Sequence, residues 1–206
     1  MDASSALPGR PEPILANPRE HAVLATPITG PWREGQKRIL VGIGCFWGVE
    51  QMFWQRDGVE STSVGYAGGV TPNPTYREVC SGQTNHVEVV EVVYDPQVIS
   101  LKEIVKTALE AHDPTQGYRQ GNDVGTQYRS AFYTDTEEEA EQIRGWIRQY
   151  EEDLQSAGYG DITTEVASVE KDGVRYYLAE EEHQQYLHKV PNGYCPHHST
   201  GVACGI

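Results

Sequence analysis

Cysteine is scarce in this chain, and so are methionine and phenylalanine: four, two and three among 206 residues. So few thiols exclude a disulfide-dense secreted scaffold, and each cysteine (45, 80, 195 and 204) needs its own explanation. Basic residues are also in deficit. Sixteen Lys and Arg stand against thirty Asp and Glu, a formal charge of -14. That balance argues against a nucleic-acid partner, because phosphate binding depends on clustered cations. No apolar run approaches the roughly 18 residues of a membrane span. The opening MDASSALPGRPEPILANPRE has neither a charged n-region nor a continuous apolar h-region, so it is not read as a secretory signal. The expectation is a cytoplasmic monomer without membrane or nucleic-acid contacts. In that compartment, cysteines that pair are usually catalytic or transient.

What is present is unevenly spread. Six of the twelve prolines precede residue 32, and residues 1–36 read as an extended arm without sustained periodicity. Residues 37–206 read as the folded body. Arg38–Ile43 is a short apolar run that predicts a buried strand, and Phe46–Arg56 carries Val49, Met52 and Phe53 at helical spacing. Strands are predicted over Ser61–Tyr66, over the Val-rich Val87–Tyr94, and over Arg129–Thr134. Ser100 and Glu103 form a capping box ahead of a helix striped by Leu101, Ile104, Val105, Ala108 and Leu109. Thr136–Ala157 predicts a long helix. Strands at Ile162–Val169 and Val174–Leu178 follow, with the turn signal Lys171-Asp172-Gly173 between them. The middle of this list is β-α-β-β-α-β, which predicts an α+β, ferredoxin-like core with helices on a mostly antiparallel sheet. The tail from Pro191, NGYCPHHSTGVACGI, reads as irregular and mobile. Acidic runs at Glu137–Glu139, Glu151–Asp153 and Glu180–Glu182 read as solvated faces.

Cys45 stands in Gly42-Ile43-Gly44-Cys45-Phe46-Trp47-Gly48, between a predicted strand and a predicted helix. A helix N-terminus presents unpaired N–H groups and favours a thiolate. The plainer alternative is a small buried cysteine at a strand end. Phe46 and Trp47 leave the helix start in different directions, so one of them can line a small apolar cage beside the thiol. Along Val87–Tyr94, Glu88 shares a face with Val90, Val92 and Tyr94, and Glu91 shares one with Val89 and Val93. A desolvated carboxyl stays protonated and can donate, but periodicity does not choose between the two. Cys80 is expected to be buried and inert, and His86 to be structural.

Rival chemistries remain at this level. Cys195, His197, His198 and Cys204 are zinc-ligand types, though without paired CxxC or HxxxH spacing. Cys45 with His86 or His183 could serve a Cys/His hydrolase, which would also need an orienting group and an oxyanion hole. A module that binds a ligand beside Cys45 without turnover is a third reading.

The blocks GCFWGVE, GYAGG, PNPTYREVCSG, HVEVVEVVYDP, HDPTQGYRQGNDVGTQYRS and EEHQQYL together resemble the A-type peptide methionine sulfoxide reductases over about residues 37 to 206. The resemblance implies that Cys45 attacks the sulfoxide sulfur and that Phe46 and Trp47 cradle the methyl group. It implies Glu88 as the acid that protonates the oxygen, Tyr76 and Tyr128 as its hydrogen-bond partners, and Asp123 as a pocket residue. It further implies a sulfenic acid on Cys45 that Cys195 resolves, and a Cys195–Cys204 disulfide passed to a thioredoxin-like dithiol. The implied substrate is the S epimer, free or in proteins, with no organic cofactor and no metal.

Overall fold

A computed structural model describes residues 3–195 and 198–206. The body begins with Lys37–Gly42 (β1), Phe46–Trp54 (α1), Val59–Ala67 (β2) and Tyr76–Cys80 (α2). Val87–Tyr94 (β3), Leu101–Ala111 (α3), Arg119–Gln120 (β4) and Asp123–Val124 (β5) follow. Ala131–Thr134 (β6), Glu137–Ser156 (α4), Glu165–Ser168 (β7), Val169–Asp172 (α5), Tyr176–Leu178 (β8) and Tyr186–Lys189 (α6) complete it.

The sheet order is β7-β6-β1-β3-β2-β8, and every pairing is antiparallel except β6 with β7. Its inner four strands, β6-β1-β3-β2, have the order that two interlocked βαβ units produce, so the expected ferredoxin-like α+β core is the observed one. All eight residues of β3 are buried, which is why that strand reads as nearly unbroken valine rather than as an alternation.

The two faces of the sheet differ. Ile39, Val41, Val64, Tyr66, Val90, Val92 and Tyr94 pack with α1, α3 and α4 in the main core. On the other face Leu40, Ala67, Val87, Val89 and Tyr133 form a second cluster. The N-terminal arm reaches that side, where Pro13, Leu15, Ile28 and Trp32 line a cavity together with Arg38, Glu91 and Tyr176.

Local chemistry sets the ends of the elements. Ser100 and Glu103 form the expected capping box on α3, and the Thr136 side chain accepts the Glu139 N–H at the start of α4. The run expected as a strand over Ile162–Val169 is shorter. Ser168 instead caps the single turn of α5, which closes on left-handed Gly173. The short helices α2, α5 and α6 and the β4–β5 hairpin have no counterpart in the sequence reading.

Two expectations fail here. Cys80, expected to be buried, is exposed, because the buried position on α2 is its neighbour Val79. The tail is irregular as expected, but residues 198–206 are docked rather than loose. Tyr159 Oη donates to Thr200 O (3.0 Å), Tyr150 Oη donates to Val202 O (3.1 Å), and Cys204 N donates to Glu110 Oε1 (2.8 Å). Cys204 itself is 1% exposed and belongs to the main core. Among the described residues, no helix is long and apolar enough to cross a membrane.

Candidate active site

The site is built where β1 ends and α1 begins. Gly44 has φ +104, and a Cβ there would meet the Gln120 side chain at 3.0 Å, so the turn requires glycine. Cys45 follows as the N-cap of α1. Burial nevertheless pushes its thiol well above the usual range, and the Glu88 charge adds to the rise. The Trp47 N–H opposes both. Burial and the Glu88 charge thus oppose the thiolate that the helix start favours.

Glu88 enters from β3, opposite Tyr66 of β2. It is 1% exposed. Its carboxylate accepts the Phe46 N–H at 3.3 Å, and burial raises it to about 8. Glu91, on the other face, is bound by Arg38 at 2.8 Å. The two glutamates that periodicity left equivalent are thus separated by one cation.

Tyr76, the first residue of α2, and Tyr128 both have hydroxyls held above the usual range by burial and then by the Glu88 charge. Tyr128 is also coupled to Asp123 and Cys45. Asp123 accepts the Tyr194 hydroxyl at 3.0 Å, while its other oxygen is buried with no hydrogen-bond partner among the described residues. Cys195 adjoins Tyr194 and acts electrostatically on Cys45. Cys45, Phe46, Trp47, Tyr76, Glu88, Asp123, Tyr128 and Cys195 therefore form one group. Cys204 does not join it: the charged groups that act on its thiol are Glu110, Lys106 and Asp153.

The aromatic cage is larger than Phe46 and Trp47. The His183 ring lies 5.6 Å from Phe46, 5.8 Å from Trp47 and 4.5 Å from Tyr76. Its Nδ1 accepts the Trp47 indole N–H at 3.2 Å, so the neutral ring carries its proton on Nε2. Tyr186 stacks on Trp47 at 4.1 Å. Glu180, read as part of a solvated acidic run, is instead a bracket: one oxygen accepts the Tyr76 N–H (2.8 Å) and the other the Tyr66 hydroxyl (2.9 Å). Sequence reasoning missed these roles of Glu180 and of the EEHQQYL segment after it, which has no periodicity. Its one signal was the repeated mixture of carboxylate, imidazole and amide.

His86 is structural, as expected, with Nε2 against Thr71 O and Nδ1 accepting the Gly69 N–H. Of the zinc-type quartet, His197 lies outside the described residues. Among the described residues no cluster of three or more such side chains is placed to hold a metal.

A half-buried thiol beside a carboxyl that no cation pairs among the described residues, roofed by aromatic rings on an α+β sheet, is an arrangement suited to thiol-based enzyme chemistry. The family described as "Peptide methionine sulfoxide reductase" matches residues 37–203. The protein named peptide methionine sulfoxide reductase MsrA in Corynebacterium efficiens is 68% identical over 98% of this chain and 92% of its own length. The solved methionine sulfoxide reductase A of Corynebacterium diphtheriae is 57% identical, with a TM-score of 0.90 over 100% of this chain and 98% of that one. Reduced Mxr1 of Saccharomyces cerevisiae is 35% identical, with a TM-score of 0.71 over 80% and 92% of the two chains. The chain belongs to the peptide methionine sulfoxide reductase family, and it is an oxidoreductase.

Proposed function

We propose that this enzyme reduces the S epimer of methionine sulfoxide, free and in proteins, with Cys45 as nucleophile and Glu88 as proton donor. The observation that carries the reading is the buried Glu88 carboxyl, held by the Phe46 N–H beside the thiol and paired with no cation among the described residues. A carboxyl at about 8 is mostly protonated at neutral pH and can donate where a charged one cannot.

A sulfoxide oxygen carries partial negative charge and its sulfur partial positive charge. Proton delivery from Glu88 to the oxygen, with hydrogen bonds from Tyr76 and Tyr128, neutralises the oxyanion as the Cys45 sulfur, losing its proton, attacks. The Cys45 S–H and the sulfoxide become a sulfenic acid and a thioether, and the proton given by Glu88 is restored by the one the thiol loses. Protonating Glu88 also removes the charge that most opposes ionisation of Cys45 after burial. Methyl towards Phe46 and Trp47, oxygen towards Glu88 and sulfur towards Cys45 fix three directions, so one hand of the sulfoxide fits. The family resemblance assigns that hand as S. Asp123, bonded to Tyr194, shapes the wall next to Cys195.

Cys195 then condenses with the sulfenic acid, releasing water and forming a Cys45–Cys195 disulfide. Cys204 attacks Cys195, frees Cys45, and leaves a disulfide for a thioredoxin-like dithiol. Mxr1 has also been solved in complex with Trx2, which is consistent with a protein reductant. The enzyme is read as a cytoplasmic monomer, with residues 37–206 as its catalytic domain behind the arm 1–36.

The test is dithiothreitol-driven reduction of the separated S and R epimers by wild type and Cys45→Ser. Turnover of S alone, abolished by the substitution, is expected. Turnover of neither epimer by the reduced wild type would overturn the reading.

A further inference from the structure

The arm is joined to the active site through a closed ring of hydrogen bonds, most of them buried. His21 accepts the Val23 and Leu24 N–H groups on Nδ1, at 3.1 and 3.0 Å, so its proton is on Nε2. That N–H reaches Thr62 Oγ1 at 2.8 Å. The Thr62 hydroxyl in turn donates to Glu50 Oε1 at 3.1 Å. Glu50 Oε1 also accepts the Gln185 side-chain amide, and Oε2 accepts the Gln185 backbone N–H, both at 2.8 Å. The ring closes when Gln185 Oε1 accepts the Ala22 N–H at 3.2 Å. His21, Glu50, Thr62 and Gln185 are each no more than 2% exposed.

Gln185 is the member that matters for the site. It is held in the left-handed region at φ 46, ψ 44, a conformation that a non-glycine residue keeps only when its surroundings over-determine it. It lies between His183 and Tyr186, which hold the Trp47 indole by a hydrogen bond and by stacking. Glu50 and Trp47 are one turn apart on α1. One ring thus ties both sides of the Trp47 cage to the arm.

We propose that His21 and Ala22 are positioning residues: by locking Gln185 through Thr62 and Glu50, the arm sets the Trp47–Tyr186–His183 cage that binds the substrate methyl group. This rests on the reading of Trp47 given above. The methyl group is not altered by the reaction, so the cage holds ground and transition states alike, and loosening it raises KM more than it lowers kcat.

The experiment compares two substitutions at position 21 in the full chain, with free S methionine sulfoxide and dithiothreitol well below the melting temperature. His21→Asn keeps an acceptor where Nδ1 was but cannot reach Thr62. His21→Gln can reach Thr62 with its amide but gives up the local turn. His21→Asn is expected to raise KM by about fivefold with little change in kcat, and His21→Gln to restore most of it. Thr62→Val, of nearly the same shape, should reproduce the KM rise and serves if a position-21 variant does not fold. A lowered melting temperature with unchanged KM in His21→Asn and Thr62→Val would make the arm a stabiliser only and overturn the proposal. So would a larger KM for His21→Gln than for His21→Asn. Absence of wild-type turnover would instead remove the functional reading, and this proposal with it.

Discussion

Glu88 and Glu91 are three residues apart on β3, and one arginine sends them to different chemistry. Arg38 bonds Glu91 at 2.8 Å and bonds Asp135 as well, so Glu91 serves the ion-pair layer beneath the arm. Glu88 faces the helices with a backbone N–H for company. Burial holds it up at about 8, so it is protonated below that pH and loses its proton as pH rises through it. Turnover that needs the acid should therefore fall on the alkaline side of about 8. Glu88→Gln is expected to lower kcat/KM by about 10²–10³-fold and to remove that alkaline limb. A pH–rate profile of wild type and variant checks this, and an unchanged limb in the variant would assign it to another group. Position 88 was not legible from the strand alone, because alternation gives both glutamates an apolar face. The deciding residue is Arg38, which comes from another strand. Cys80 misled for a related reason: in a five-residue helix the buried side falls on a single residue, Val79, and no stripe announces it.

At the scale of elements, what was legible had a period or a cap. The valines of β3, the stripe of α3 and the Ser100–Glu103 box each declare themselves locally. The helix α2 carries a full capping box, Thr75 with Glu78, but it is too short for a stripe and passed unread. Its second support is remote in sequence: Glu180 accepts the Tyr76 N–H and the Tyr66 hydroxyl together. Glu180→Ala leaves both donors without their acceptor, and with them the first residue of the helix that presents Tyr76. The expected loss is about 2–3 kcal/mol of folding stability, since bonds to a charged group contribute more than neutral ones. Glu180→Gln keeps an oxygen for the Tyr76 N–H and should recover about half of that loss. Urea unfolding of the three proteins measures it, and an alanine variant as stable as wild type would show that the bracket contributes nothing.

At the scale of the whole molecule, the thiols of the proposed relay are not assembled. Cys45 and Cys195 belong to the site, whereas Cys204 is 1% exposed in a tail docked against α3 and α4. Two backbone donors, Cys204 N to Glu110 and Gly205 N to Asp153, and the Tyr150 hydroxyl on Val202 O hold that segment. For Cys204 to reach Cys195 the tail must undock, an opening local enough to leave the sheet intact. In the reduced enzyme, iodoacetamide should therefore modify exposed Cys80 well before Cys204. Tyr150→Phe removes one of the tail's anchors and keeps the buried ring. It should speed both the labelling of Cys204 and the formation of a Cys195–Cys204 disulfide after a single turnover, by about fivefold if one net hydrogen bond is lost from the docked state. Cys195→Ser should stop the sequence earlier, leaving a sulfenic acid on Cys45 that dimedone traps. Peptide mapping with intact-mass timing separates the steps. Labelling of Cys204 as fast as that of Cys80 would mean that the docked tail does not shield it. Faster labelling of Cys204 in Tyr150→Phe without faster disulfide formation would place the slow step at Cys195 rather than at release of the tail.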